Sequence, residues 1–213
     1  MDITWYGHSC FRMKAKGVAV VTDPCGKDVG YPVPRLRADI VTISCDHPDY
    51  CNTGLVQGGA KVIRSPGEYE IKGTFVTGVR IAQAKTKGQQ VSNNTAYLFD
   101  FDGLMVCHLG TLDHVPSEVQ LQTLISVDVL LVPVGGVTTI NANQAAEVIG
   151  LLEPRLVVPM HYRTKVTRAK LEPVTQFLKE MGLPEPASAR DILSVDKGDL
   201  PEHTQVVLLN YKE

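Results

Sequence analysis

The chain has 213 residues, 44% of them hydrophobic, which is enough for one compact core. Its 21 Lys+Arg and 23 Asp+Glu give a formal net charge of −2, which excludes a basic nucleic-acid arm and an acidic disordered tail. Apolar runs such as Val129 to Val134 are strand-sized and broken by Pro133, so no membrane-spanning helix is expected. The opening Met1-Asp2-Ile3-Thr4-Trp5 lacks a basic region followed by an apolar stretch, so no secretory signal is read and a cytoplasmic location is expected. Five cysteines, an odd and sparse set, read as reduced thiols rather than a disulfide framework; Cys45 and Cys51 lie close enough to pair or to share a soft metal.

In chain order, strands are expected at Ile3 to Tyr6, Cys10 to Ala15, Val18 to Thr22 and Ile40 to Ser44, where β-branched and aromatic residues lie between glycine and proline. A second set is expected at Lys61 to Arg64, Tyr69 to Ile71, Thr74 to Ile81, Thr95 to Phe101 and Leu104 to Cys107, with Lys72-Gly73 and Asp102-Gly103 as hairpin turns. The polar loop Ala84 to Asn94 interrupts it. The pattern then changes. Helical spacing is read at Pro116 to Ile125, Asn141 to Leu152 and Arg168 to Met181, separated by apolar strands at Val127 to Val134 and Leu156 to Met160. Asn141 is the expected cap of the middle helix, Gly182 the stop of the third, and Pro173 falls early in that third helix. A last strand, Thr204 to Tyr211, ends the chain. Two stacked sheets flanked by helices, in one domain over 1–213, is the expected architecture.

Polar residues of catalytic type collect at the ends of these strands: Gly7-His8-Ser9, Asp23-Pro24, Cys45-Asp46-His47-Pro48-Asp49-Tyr50, His108 to His114, and His161-Tyr162. Loops along one edge of a rigid sheet are a common place for a site, so a shared cleft is expected, with His8 at its polar edge and Asp23 bonding backbone at its floor. Each residue also has a plainer reading: Cys45 as a packed thiol, Asp49 as a helix cap beside Asn52, Asp23 as a turn carboxylate, and single histidines as satisfied core or surface groups. His114 and His203 are expected on the surface without a role. Gly135-Gly136 before a helix could cradle phosphate, but no lysine follows at the spacing of a phosphate-binding loop.

At Ile3 to Phe11, Thr22-Asp23-Pro24, Val106 to Gly110, Val129 to Gly136 and Val158 to Tyr162 the sequence resembles the metallo-β-lactamase-fold hydrolases, in particular their small branch of metal-dependent hydrolases. The resemblance runs through nearly the whole chain and keeps the family's motif order. It implies a four-layer αββα sandwich, of α/β (α+β) class, with a metal cleft at one edge between the sheets. It also implies two zinc ions that lower the pKa of a bridging water, held by a His-x-His-x-Asp-His loop, a His after a middle strand, a bridging Asp and a final His.

Carried over residue by residue, the resemblance places ligands at His47, Asp49 and His161. The remaining positions are changed: Cys45 stands for the first loop His, Tyr50 for the last, Gln83 for the middle-strand His and Thr111 for the bridging Asp. A neutral amide and two hydroxyls are poor zinc ligands at neutral pH, so a dinuclear zinc centre is not expected, and either no metal or one Zn or Fe ion is. His108 is expected to orient ligands, or to replace one.

Two functions follow. One is a hydrolase-like protein without catalytic metals, a pseudoenzyme that binds a small molecule. The other is a hydrolase using one metal on Cys45 and His47 with His108 or His161, in which Asp49 aligns the water. A thiol sensor built on Cys45 and Cys51 is a third reading. A small-molecule ligand is the expected partner, with no nucleic acid and no membrane, and no oligomeric state is specified.

Overall fold

The β-branched runs of the first third pair into sheet because their side chains alternate between two buried faces. The computed structural model describes residues 1–32, 34–82, 93–124, 126–184 and 188–212. In chain order the first half carries β1 (Asp2–Trp5), β2 (Phe11–Ala15), β3 (Val18–Thr22), β4 (Leu36–Arg37), β5 (Ile40–Thr42), β6 (Val56–Gln57) and β7 (Lys61–Ile63). The second sheet begins with β8 (Gly67–Ile71), β9 (Thr74–Ala82), β10 (Asn93–Phe101) and β11 (Leu104–His108). Then follow α1 (Glu118–Gln122), β12 (Val129–Pro133), α2 (Ala142–Leu152), β13 (Leu156–Met160), α3 (Val174–Glu180), β14 (Leu193–Ser194) and β15 (Gln205–Val206).

Among the described residues the strands form a six-stranded sheet in the order β14-β1-β2-β3-β5-β7, a seven-stranded sheet in the order β15-β13-β12-β11-β10-β9-β8, and a short β4-β6 ribbon. Both large sheets change character part-way: β3, β5 and β7 run parallel, as do β11, β12, β13 and β15, while the remaining pairs are antiparallel. The hairpin turns carry positive φ at both central residues, Lys72-Gly73 (52° and 76°) and Asp102-Gly103 (59° and 85°), as two-residue turns between twisted strands require.

One core fills the space between the sheets, with Ile3, Trp5, Met13, Val20 and Ile40 facing Val76, Tyr97, Phe99, Val106 and Val129. Strand β3 is buried on both faces: Val18 and Val20 enter this core, whereas Ala19 and Val21 pack outward with Cys25, Val29, Tyr31 and Leu36. The α-helices join the core of the second sheet, through Ala145 and Val148 of α2 and Phe177 of α3. The outer face of the first sheet is covered by Cys25, Val29, Tyr31, Leu36 and Ala38 with Val56 of β6, and among the described residues that cluster holds none from an α-helix.

Several elements are shorter than the sequence suggests, three of them by half or more. The third helix starts at Val174, not Arg168, because Pro173 has no N–H and takes extended backbone (φ −74°, ψ 154°) at the cap position, while Arg163 pairs with it as a β-bridge. Helix α1 is held to Glu118–Gln122 by a capping box between Ser117 and Gln120, leaving Pro116 outside it. The last strand reduces to Gln205–Val206, after which Leu209 and Tyr211 make single bridges to Arg190 and Trp5. Asn141 caps α2 in a capping box with Gln144, and Gly182 follows α3 with φ 67°.

Candidate functional site

The parallel strands deliver their carboxyl ends to one edge, the place where open α/β sheets build sites. Asp23 follows β3, Ser44 and Cys45 follow β5, His108 ends β11, Gly135 follows β12 and His161 follows β13. The turn after β1 brings His8 to the same edge, where its carbonyl accepts from the His161 N–H (3.2 Å) and from Trp5 Nε1 (2.9 Å). Side chains rarely adopt the left-handed backbone, yet His8 (φ 45°), Asp23 (38°) and His161 (55°) all do. Such strain persists where the surroundings over-determine it, most often at functional sites.

An imidazole–phenol cluster occupies this edge. The ring of His8 lies 4.8 Å from His161, 5.3 Å from Tyr31 and 5.9 Å from Tyr50, and Tyr50 lies 5.4 Å from His47. The Tyr50 hydroxyl meets His161 Nε2 at 3.1 Å. Burial drives His8 down to about 4, partly offset by the Asp49 charge, and drives His161 down to about 3, with His8 adding to it. Both rings are therefore neutral at pH 7. Burial raises the Tyr50 phenol above the ordinary tyrosine range, so it stays protonated. His47 and Asp49 sit outside this buried group, with 55% and 40% of their side chains exposed and 3.6 Å between Nδ1 and the carboxylate.

Beneath lies a polar floor. Asp23 is fully buried and accepts from the Ser44 N–H (2.7 Å) and hydroxyl (2.5 Å); burial lifts its carboxyl to about 7, against those bonds. Asn94 donates to the Leu109 carbonyl (2.9 Å) and accepts from the Thr111 N–H (3.0 Å), while the Thr95 N–H reaches the Ser44 carbonyl across the sheets (2.9 Å). Half-buried Cys45 has the Thr111 hydroxyl as a hydrogen-bonding neighbour, and burial raises its thiol. His108 is buried farther back: Nε2 meets the Ser9 carbonyl at 2.9 Å, the ring packs on Phe11, and burial lowers it to about 4.

The structure thus groups His8, His161, Tyr50 and His47 on one side, and Cys45 and Thr111 beside Asn94 on the other. His108 faces Ser9, and Gln83 and most of the loop 84–94 lie outside the described residues. Cys45 and Cys51 are free thiols. His114 is only partly exposed and pairs with Asp113 (2.7 Å).

A zinc centre needs three or more imidazole, thiolate or carboxylate donors converging on one point. Among the described residues no three His, Cys, Asp or Glu are so arranged. Among the described residues the donors present therefore do not fit a pair of metal ions. Several buried atoms also lack a protein partner, including both ring nitrogens of His8, Nδ1 of His161 and Nδ1 of His108.

Residues 2–161 match the family model described as a beta-lactamase superfamily domain. The chain belongs to this superfamily. It is 33% identical over 189 residues to a UPF0173 protein of Pyrococcus abyssi, covering 77% of this chain and 84% of that one. A UPF0173 metal-dependent hydrolase of Nitratidesulfovibrio vulgaris is 31% identical over 194 residues, covering 76% and 80%. Among solved structures, a candidate Zn-dependent hydrolase of the metallo-β-lactamase superfamily from Thermotoga maritima superposes with a TM-score of 0.80 at 37% identity, covering 98% of this chain and 97% of that one. The metallo-β-lactamase fold expected from the motifs is thereby shown.

Two members of the site were not legible in the sequence. Tyr31 comes from an irregular segment, and only the folded chain lays its ring on His8, against Gly7, where a Cβ would stand 2.3 Å from that ring. Asn94 is the second residue of β10 and reads as an ordinary polar residue; its role shows only once β10, β11 and Ser44 meet. The one usable signal was Gly110, a glycine after a strand-end histidine, which has φ 61° and no room for a side chain beside Ser44.

Proposed function

We propose that this metallo-β-lactamase-fold chain binds a small organic molecule where its superfamily builds a dinuclear metal centre, and that it is a weak hydrolase or none. The observation that carries this is the Tyr50 hydroxyl on His161 Nε2, 3.1 Å away. A cation using that nitrogen would have to displace a phenol that stays protonated, and the bridging position holds Thr111, whose hydroxyl lies 3.4 Å from Asn94 Oδ1. The neutral His8 ring, with a donor and an acceptor both lacking protein partners, offers hydrogen bonds to a polar ligand, since leaving such buried groups unpaired costs about 1–3 kcal/mol each.

The names of the relatives favour a second reading, in which one Zn or Fe ion is held by Cys45 and His47 with His108 or His161, and Asp49 orients a water. Elemental analysis of protein purified without chelator separates the two. The first expects well below one metal equivalent, and hydrolysis of lactone, thioester and phosphodiester probes, if any, insensitive to chelator. One equivalent that disappears in Cys45→Ala supports the second. Two equivalents, with hydrolysis abolished by chelator, overturn both.

A further inference from the structure

We infer that residues 163–170 form a fixed cationic strap at the lip of this site, which recognises the phosphate group of a small phosphorylated ligand. The sequence Arg163-Thr164-Lys165-Val166-Thr167-Arg168-Ala169-Lys170 holds four cations and no acid, in a chain whose net charge is −2. All four are exposed, and among the described residues none has a carboxylate within ion-pair distance. Solvated surface charge is ordinarily interspersed in sign, and four like charges so close repel one another unless an anion joins them.

The strap is tethered to the fold and adjoins the site. It leaves the sheet immediately after His161-Tyr162, and its ends are tied by the Arg163 N–H to the Glu172 carbonyl (2.9 Å) and the Arg168 N–H to the Val29 carbonyl (3.3 Å). Between them, the hydroxyls of Thr164, Thr167 and Tyr31 form a closed ring with edges of 2.9 to 3.0 Å. Gly30 lies so close beneath that a Cβ there would stand 2.0 Å from the Val166 carbonyl oxygen. Tyr31 therefore binds the strap through its hydroxyl and packs on His8 through its ring. Tyr31 is thus the side chain that joins the strap to the imidazole whose ring nitrogens lack partners. The backbone tethers keep the four cations on one ordered segment, so an anion meets a preassembled cluster of charge and the chain itself need not be ordered on binding. The neutral imidazoles supply hydrogen bonds but no charge, so the charge complementarity must come from the strap. A long polyanion is disfavoured, because without these four residues the chain sums to −6.

This inference deepens the ligand-binding reading, but its test is independent of metal content. Pyrophosphate is titrated into the full chain at low ionic strength and followed by amide NMR. Shifts centred on 163–170 and Tyr31 are expected, weakening as salt is added. Lys165→Glu with Lys170→Glu should weaken binding by about tenfold or more, whereas Lys14→Glu with Lys61→Glu, the same charge change on strands β2 and β7, should leave it unchanged. Equal loss in both double variants, shifts elsewhere, or no binding overturns the strap as a recognition element even if metal analysis upholds the ligand-binding reading. Tighter binding of single-stranded nucleic acid or anionic vesicles than of pyrophosphate overturns the assignment to a small ligand.

Discussion

Val137 is the residue most at odds with its own backbone. It is β-branched, sits in the left-handed region with φ 61°, and is 75% exposed, so packing gives nothing in return. It follows Gly135-Gly136, whose close approach to the His161 carbonyl and to Glu172 fixes the loop from below. Such a conformation costs an L-residue about 1–2 kcal/mol, and asparagine tolerates it best. Val137→Asn should therefore stabilise the protein by about 1 kcal/mol in urea denaturation; an unchanged or lower midpoint would show that the valine makes a compensating contact. The other left-handed non-glycine residues divide plainly: Lys16, Lys72 and Asp102 sit in tight turns, Ser126 lies between α1 and β12, and Glu153 caps α2, whereas His8, Asp23 and His161 line the site.

At the level of elements, the site exists because the two sheets approach to backbone distance at one edge. Gly110 marks that approach: with φ 61°, a Cβ on it would stand 2.3 Å from the Ser44 Cβ and 2.6 Å from Asn94 Oδ1. Gly103 has φ 85° but nothing within 4 Å of such a Cβ. Gly103→Ala should thus cost only the backbone term, about 1 kcal/mol, while Gly110→Ala adds overpacking and should cost about 2–4 kcal/mol and shift the amide resonances of Ser44 and Asn94. Equal losses in the two variants would mean that the sheets can part without penalty. The shortening of the third helix belongs at this scale too. Of its first six expected residues, Arg168, Ala169 and Lys170 end the strap, with Arg168 tethered to Val29, and the Glu172 N–H bonds the Gly135 carbonyl, a tertiary demand stronger than helical spacing in the sequence.

For the whole molecule, acid stability follows from its buried titratable groups. His8 and His108 at about 4 and His161 at about 3 lie below their ordinary value of 6.5, so the unfolded chain takes up protons first as pH falls. Their contribution is fully present above 6.5 and is lost as pH falls through 4 toward 3. Asp23, raised to about 7, has the opposite sign: the folded state binds its proton more tightly, and that contribution is lost as pH rises from 3.8 through 7. Three histidines outweigh one carboxyl, so the melting temperature should fall steadily from pH 6.5 to 4. A flat profile, followed by scanning calorimetry, would show that these imidazoles find solvent or partners in the folded state. The sequence by itself determined the strands, the tight turns, the cap of α2 and the strand-end motifs, because alternation, glycine chemistry and capping act over a few neighbouring residues. The resemblance of its motifs to the family implied that Cys45, Tyr50, Gln83 and Thr111 stand at metal-ligand positions, a comparison that needs only order along the chain. Only the tertiary structure decided that Tyr50 meets His161, that His108 turns to the Ser9 carbonyl, and that Tyr31 joins His8 to a cationic strap more than 130 residues later. Those contacts are made between residues far apart in sequence, and no local propensity encodes which distant side chain will fill the remaining space.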